Sequence, residues 1–398
     1  MCYRSIRRVV VESLSLMKRN LVTLIMCGLL GGTNFTLLLP LGGLLLAERG
    51  VPAWQIGLVG AVPWGFVVLA LPFIPVLVQR YNPLHAFHAV GWLGVLGSLL
   101  FLLSDNIWLW GVAYALIGIK VAGRWVITDT LITTLPPPEQ RARWMGLHMF
   151  IISFMLVIGP LVVAFLGAVH STFWVALALL LISTLLGHSV RIPANNLQHA
   201  HSEARGFSLL WQHASLMAGQ LVAALAVGCV EGSVGKMLPV QAYALGYSEH
   251  ISALAAGVSG AGNIFSQVLI AWLLARSSRL CLVRGLLALM LLASGLSAVL
   301  AHLLPGYLAA IFVMGGCAGA IYTLVILVAT DRCSPADGVH RISALALCYT
   351  CGGMIGPLLA GFAMNMDMRW GFAGVMSLFA LAALWAIHRL PIIKGDCA

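Results

Sequence analysis

About twelve apolar runs, each about 20 residues long, follow one another along this chain with only short joints carrying Pro, Gly or charge between them. That length matches the hydrocarbon thickness of a bilayer. Hydrophobic residues make up 61% of the 398 and charged residues only 9%, with a mean hydropathy of +1.00, a balance that excludes a water-soluble domain. The runs are continuous rather than alternating, and a lipid-exposed sheet edge would leave backbone groups unpaired, so the spans are helices. They read as Leu21 to Ala47, Gln55 to Val78, Leu84 to Leu103, Trp108 to Leu135, Met145 to Val169 and Thr172 to Val190. The later six read as Met217 to Ala242, Ile251 to Leu274, Leu280 to Leu303, Leu308 to Thr330, Ile342 to Met364 and Trp370 to His388.

The chain is also written twice. Pro138 through Ile158-Gly159-Pro160-Leu161 recurs as Pro335 through Ile355-Gly356-Pro357-Leu358, and Gly118 is matched by Gly315, all at one offset. Parallel repeats of this kind build transporters in which substrate sits near the midplane between two bundles. The expected organisation is a six-helix bundle over residues 1–190, a cytoplasmic linker over 191–207 and a second six-helix bundle over 208–398. A His-x-His pair in that linker, His199 and His201, reads as solvated chain rather than a metal site.

Basic residues set the orientation. All but five of the 22 Lys and Arg fall on one side of the expected spans, only Arg49 and Arg369 fall on the other, and Lys120, Arg124 and Lys236 lie within spans. The positive-inside rule then puts both termini in the cytoplasm of a cell whose inner (plasma) membrane holds the protein. The net charge of +10 follows from this topology and the anionic leaflet, with no need for nucleic acid. The basic first 20 residues and the apolar run behind them read as an uncleaved anchor.

The charges at hydrocarbon depth are the leading site candidates: Lys120, Arg124 and Asp129 in the fourth span, Glu231 and Lys236 in the seventh. Each costs about 2.5 to 3.5 kcal/mol at a helix centre, so they are expected to face a cavity or one another. Lys120 and Arg124 share a helical face, whereas Asp129 points elsewhere. Lys120 and Glu231 lie at similar depth in opposite halves. A salt bridge between them is expected, either as a structural pair or as a switch broken by a proton or an anionic solute.

With its repeated Gly-rich span, Pro-bearing loop and Ile-Gly-Pro-Leu span, the chain resembles the major facilitator superfamily. The resemblance implies twelve helices in two six-helix bundles, alternating access, and a cavity lined mainly by the first, fourth, seventh and tenth helices. That family's loop between its second and third helices reads Gly-x-Leu-x-Asp-Arg-x-Gly-Arg. Here Pro75 to Pro83 keeps Arg80 but has Gln79 in place of the acid, and the second copy keeps Arg276 and Arg279 but has Ala275. The cytoplasmic gating loops are therefore expected to be weakened. The arginine often found in the family's fourth helix is replaced by Tyr114.

Further candidates for substrate or coupling contacts are Asn34 in the first span, Asn263 with Gln267 in the eighth, Gln241, and the aromatic residues Trp64, Trp125 and Tyr322. Each has a packing alternative. His148 reads as a residue near the cytoplasmic end of the fifth span. The nine cysteines, Cys348-Tyr349-Thr350-Cys351 among them, read as small apolar residues rather than a disulfide framework. No phosphate loop, His-Glu-x-x-His or nucleophile elbow is present, so neither enzyme chemistry, a metal nor a cofactor is expected. The expectation is a monomeric secondary transporter of a small organic solute, coupled to protons through Asp129 or Glu231. An anionic substrate is favoured by the surplus buried base. Two readings compete with it: efflux of drugs or metabolites by proton antiport, and a non-transporting membrane sensor or scaffold.

Overall fold

The computed structural model describes residues 2–191, 216–331 and 335–390, and among them every regular element is an α-helix. The first part of the chain forms α1 (Cys2–Glu48), α2 (Ala53–Ala70), α3 (Ile74–Arg80), α4 (Pro83–Leu103), α5 (Ile107–Thr134), α6 (Pro138–Ser153), α7 (Met155–Leu166) and α8 (Thr172–Gly187). The second part forms α9 (Ala218–Ala244), α10 (Glu249–Leu273), α11 (Arg279–Val299), α12 (Leu304–Ala329), α13 (Pro335–Met366) and α14 (Trp370–Arg389). Among the described residues, eleven helical stretches are long and apolar enough to cross a membrane, and Thr172–Gly187 is a shorter apolar helix. The expected linker, apart from Arg191, lies outside the described residues.

Two expected spans are interrupted. The second breaks at residues 71–73 into α2 and α3, where Pro72 and Pro75 each lack the N–H that a continuous helix would bond. The fifth breaks at Phe154, whose N–H turns back to the carbonyls of Ile151 and Ile152. Other ends follow local chemistry. Asn82, at φ 63°, caps α4 by accepting from the Leu84 N–H at 2.9 Å, and Asn106 caps α5 through the Trp108 N–H at 2.8 Å. Gly50 ends α1 at φ 73°, a conformation that favours glycine.

The chain divides into two compact units that do not follow the sequence midpoint. Of the described residues, the first contains 2–35, 69–155 and 173–191. Its core joins Leu24 and Cys27 of α1 to Ile74, Phe87, Ile127, Leu131 and Val190. An aromatic group of Phe101, Trp110, Tyr114 and Phe173 packs with centroids 4.8 to 5.5 Å apart. Tyr114 is thus a fully buried packing residue.

Of the described residues, the second unit contains 36–68, 156–172, 216–331 and 335–390. Here α9 and α13 meet backbone to backbone. A Cβ on Gly232 would lie 2.6 Å from the Gly353 Cα, and one on Gly228 would collide with the Tyr349 carbonyl. Small residues give such close packing within a membrane, where apolar side chains gain nothing by leaving lipid. Segments from the first part of the chain join this unit at one end. Trp54 stacks on Phe362 at 6.1 Å, Leu39 lies over Gly235, and Glu249 accepts from the Ala168 N–H at 2.9 Å.

Candidate functional site

The first unit holds five of the candidate residues, and it ties up their charge internally. The Lys120 ammonium donates to the Gly31 carbonyl at 2.8 Å and to Asn34 Oδ1 at 3.3 Å. Asn34 in turn donates to Ser98 Oγ at 3.1 Å and the Ala176 carbonyl at 2.9 Å. Gly94 leaves room for the lysine stem, since a Cβ there would sit 2.7 Å from Lys120 Cγ. Lys120 is 2% exposed, so this network stitches α1, α4, α5 and α8 together. One turn on, the Arg124 guanidinium lies 3.8 Å from the Phe87 ring centroid and donates to Thr184 Oγ1 at 3.4 Å. Asp129 stands 3.3 Å from His148 Nε2, joining α5 to α6. Trp125 is half-buried on α5.

The expected Lys120–Glu231 bridge is replaced by two separate networks. Glu231 finds its partners in the second unit: Oε1 accepts from Asn263 Nδ2 at 2.8 Å and Oε2 accepts from the Tyr349 hydroxyl at 2.5 Å. Lys120 is turned toward Gly31 and Gly94 within its own unit.

Around Glu231 the second unit assembles a polar and aromatic cluster from five helices. The Tyr349 ring on α13 lies 4.8 Å from Tyr322 on α12 and meets Trp64 on α2 edge-on at 6.2 Å. Two glycines shape it. A Cβ on Gly353 would fall 2.8 Å from the Trp64 ring, and one on Gly319 would fall 2.5 Å from the Asn263 amide. Trp64, Glu231, Asn263, Tyr322 and Tyr349 are all half-buried, although α9 is buried along most of its length. A carboxylate offers about four lone-pair sites, and two are used here, which leaves acceptor capacity for a proton or a donor ligand.

Other candidates separate from this cluster. Lys236 is fully buried with its stem against the positions of Gly43 and Gly60. It lies about 140° round α9 from Glu231. Gln241 donates to the Arg369 carbonyl and accepts from the Tyr307 hydroxyl, a packing role, while Gln267 accepts from Thr323. Cys348 and Cys351 are free thiols.

At the expected gating loops, Arg80 lies 5.4 Å from the ring of Tyr81 and Arg276 lies 3.9 Å from the ring of Trp272. Arg279 pairs with Asp331 at 3.0 Å. The acid missing from the second loop is thus supplied from the end of α12, outside the motif. Sequence reading missed this pair and also Tyr349, which it weighed only as part of a Cys-x-x-Cys. The available signal was its position four residues before Gly353, facing the Gly228 and Gly232 stripe of α9.

Comparison with known proteins agrees with this architecture. The Major Facilitator Superfamily model matches residues 24–336 and 216–394. An uncharacterized MFS-type transporter, YcaD, of Salmonella paratyphi B (strain ATCC BAA-1250 / SPB7) is 23% identical over 377 residues, covering 94% of this chain and 95% of the relative. Among solved structures, a bacterial homolog of the human lysosomal transporter Spinster aligns with a TM-score of 0.75 at 14% identity, over 96% of this chain and 99% of that one. The D-xylose-proton symporter aligns at 0.72 and 13%, over 96% and 99%. The nucleoside transporter NupG aligns at 0.73 and 12%, over 94% and 97%. At these identities the structures establish the fold alone. With the family model spanning both copies of the repeat, the chain belongs to the major facilitator superfamily and is a multi-pass membrane transporter of that family.

Proposed function

We propose that this protein is a monomeric secondary active transporter of the inner (plasma) membrane, moving a small organic solute by alternating access of its two sequence halves, with Glu231 as the proton-coupling group. The observation that carries the reading is the Glu231 cluster. A half-buried carboxylate is held by a neutral amide and a phenol rather than by a fixed cation, so a proton or a solute group can exchange at it without breaking a salt bridge.

The halves in this reading are residues 1–190 and 208–398, joined by the 191–207 linker, with both termini cytoplasmic. Odd-numbered spans then end outside, so the joints at 49–52, 167–171 and 245–248 face outward. Contacts such as Ala168 with Glu249, and Trp54 with Phe362, close the outer end of the second unit. One end sealed by contacts between segments of opposite halves is what an alternating-access cycle must open. The buried bases Lys120 and Arg124 lie inside the first unit with neutral acceptors, so the surplus base by itself does not select the charge of the solute.

The test is reconstitution into vesicles carrying an internal pH indicator, with a panel of organic solutes added outside. At least one solute is expected to move protons, and the sign of the pH change distinguishes symport from antiport. Glu231→Gln is expected to lose solute-driven proton movement while still exchanging labelled solute across the membrane. Undiminished proton movement in that variant would refute the assignment.

A further inference from the structure

We propose that the Glu231 cluster is a binding site for a monovalent organic cation that carries its charge among aromatic or alkyl groups. This deepens, and rests on, the reading of Glu231 as the group that meets the solute. The chemistry follows from what surrounds the carboxylate. The Tyr349 ring stands 4.8 Å from Tyr322 and 6.2 Å from Trp64. Ring faces attract a cation by their quadrupole and repel an anion, with Trp the strongest. Such rings also give apolar surface to a bulky solute at low cost in side-chain entropy. Asn263 and Tyr349 already supply the donors to Glu231, so the remaining acceptor sites suit an ammonium donor or the diffuse charge of an onium ion.

The nearest base on α9, Lys236, is turned to another face of the helix, against Gly43 and Gly60. The glycines add shape. Gly353 and Gly319 remove side chains where Trp64 and Asn263 lie, so these two residues approach α13 and α12 closely. All five residues are half-buried, as groups that must meet a solute have to be.

Two ions of one shape and opposite charge decide the matter: tetraphenylphosphonium and tetraphenylborate, measured by equilibrium dialysis against the detergent-purified full chain with empty micelles as the background. The phosphonium is expected to bind saturably and the borate to show micelle partition only. Glu231→Gln is expected to weaken phosphonium binding at least about tenfold, and Tyr322→Leu at least about threefold, with Tyr322→Phe near wild type because the ring face remains. If Glu231→Gln does not fold, Glu231→Asp should retain cation binding and the two Tyr322 variants carry the test. Failure of the phosphonium to bind saturably, equal binding of the borate, or binding indifferent to both Glu231→Gln and Tyr322→Leu would overturn the proposal. Selective cation binding without proton movement in vesicles leaves this inference standing and removes the coupling role. Proton-linked flux of an anionic solute, with no cation binding, does the reverse.

Discussion

Gly57→Ala should drive α2 and α13 apart at one end of the second unit, and should shift that separation by more than it lowers the stability of the protein. Gly57 on α2 faces Gly361 on α13. An added Cβ would fall 3.0 Å from the Gly361 Cα and 3.3 Å from its nitrogen, and would collide with the Pro357 carbonyl oxygen. Those are backbone atoms, so the clash is relieved only by moving one helix away from the other. Overpacking of this sort costs about 1–3 kcal/mol. The helix itself gains about 0.5–1 kcal/mol from Gly→Ala. That gain is present whether the end is closed or open, and it cancels from the equilibrium between those states. It offsets part of the clash in the unfolding equilibrium, which leaves a net cost of about 0 to 2.5 kcal/mol in stability.

The net shift toward the open state is then about 5- to 150-fold. Leu39→Cys reports it, because Leu39 is 4% exposed and lies over Gly235 of α9. The rate of maleimide labelling of that cysteine, corrected for the parent protein's own thiols, follows the open population. In detergent both ends of the protein meet solvent, so the result does not depend on orientation in a membrane. Gly65→Ala on the same helix is the control. Its Cβ would meet only the flexible Met354 Sδ, at 3.3 Å, and labelling should stay within about twofold of the parent. A folded Gly57→Ala protein with an unchanged labelling rate would refute the reasoning, because the end could then separate no more easily with a backbone clash than without one.

Three further outcomes follow from the same geometry. Asn34→Leu should destabilise by about 1–3 kcal/mol in denaturant unfolding, since it leaves the buried Lys120 ammonium with the Gly31 carbonyl as its one remaining acceptor, and adding Lys120→Met should recover part of that loss; a double variant as unstable as the single would show that the loss does not run through Lys120. Asp331→Asn should cost no more than about 1 kcal/mol in the same measurement, because Arg279 and Asp331 are 41% and 30% exposed. Alkylation and mass measurement of the native protein should find both Cys348 and Cys351 as thiols, and a bridged pair would contradict their placement as packing residues on α13.

Hydropathy carried the helices, because spanning a bilayer leaves each segment one solution and the residues announce it. It could not carry azimuth. Which way Lys120 and Glu231 turn depends on gaps in neighbouring helices, and for Lys120 that gap is Gly94. Breaks were legible only in part: Pro72 and Pro75 were visible in the second span, whereas Phe154 carries no such mark. Asp331 was invisible as a latch because it lies beyond α12 rather than within the loop motif that its partner Arg279 belongs to. The two kinds of intramembrane charge are separated by exposure rather than by cost. Lys120 is sealed at 2% and has its acceptors within its own bundle, as a residue that fixes packing should be. Glu231 remains half-buried with lone pairs to spare. A charge that serves a solute has to remain reachable by it; Asp129 and Glu231 both meet that test, but Asp129 stands against His148 whereas Glu231 is held by an amide and a phenol, so transport chemistry should be sought first at Glu231.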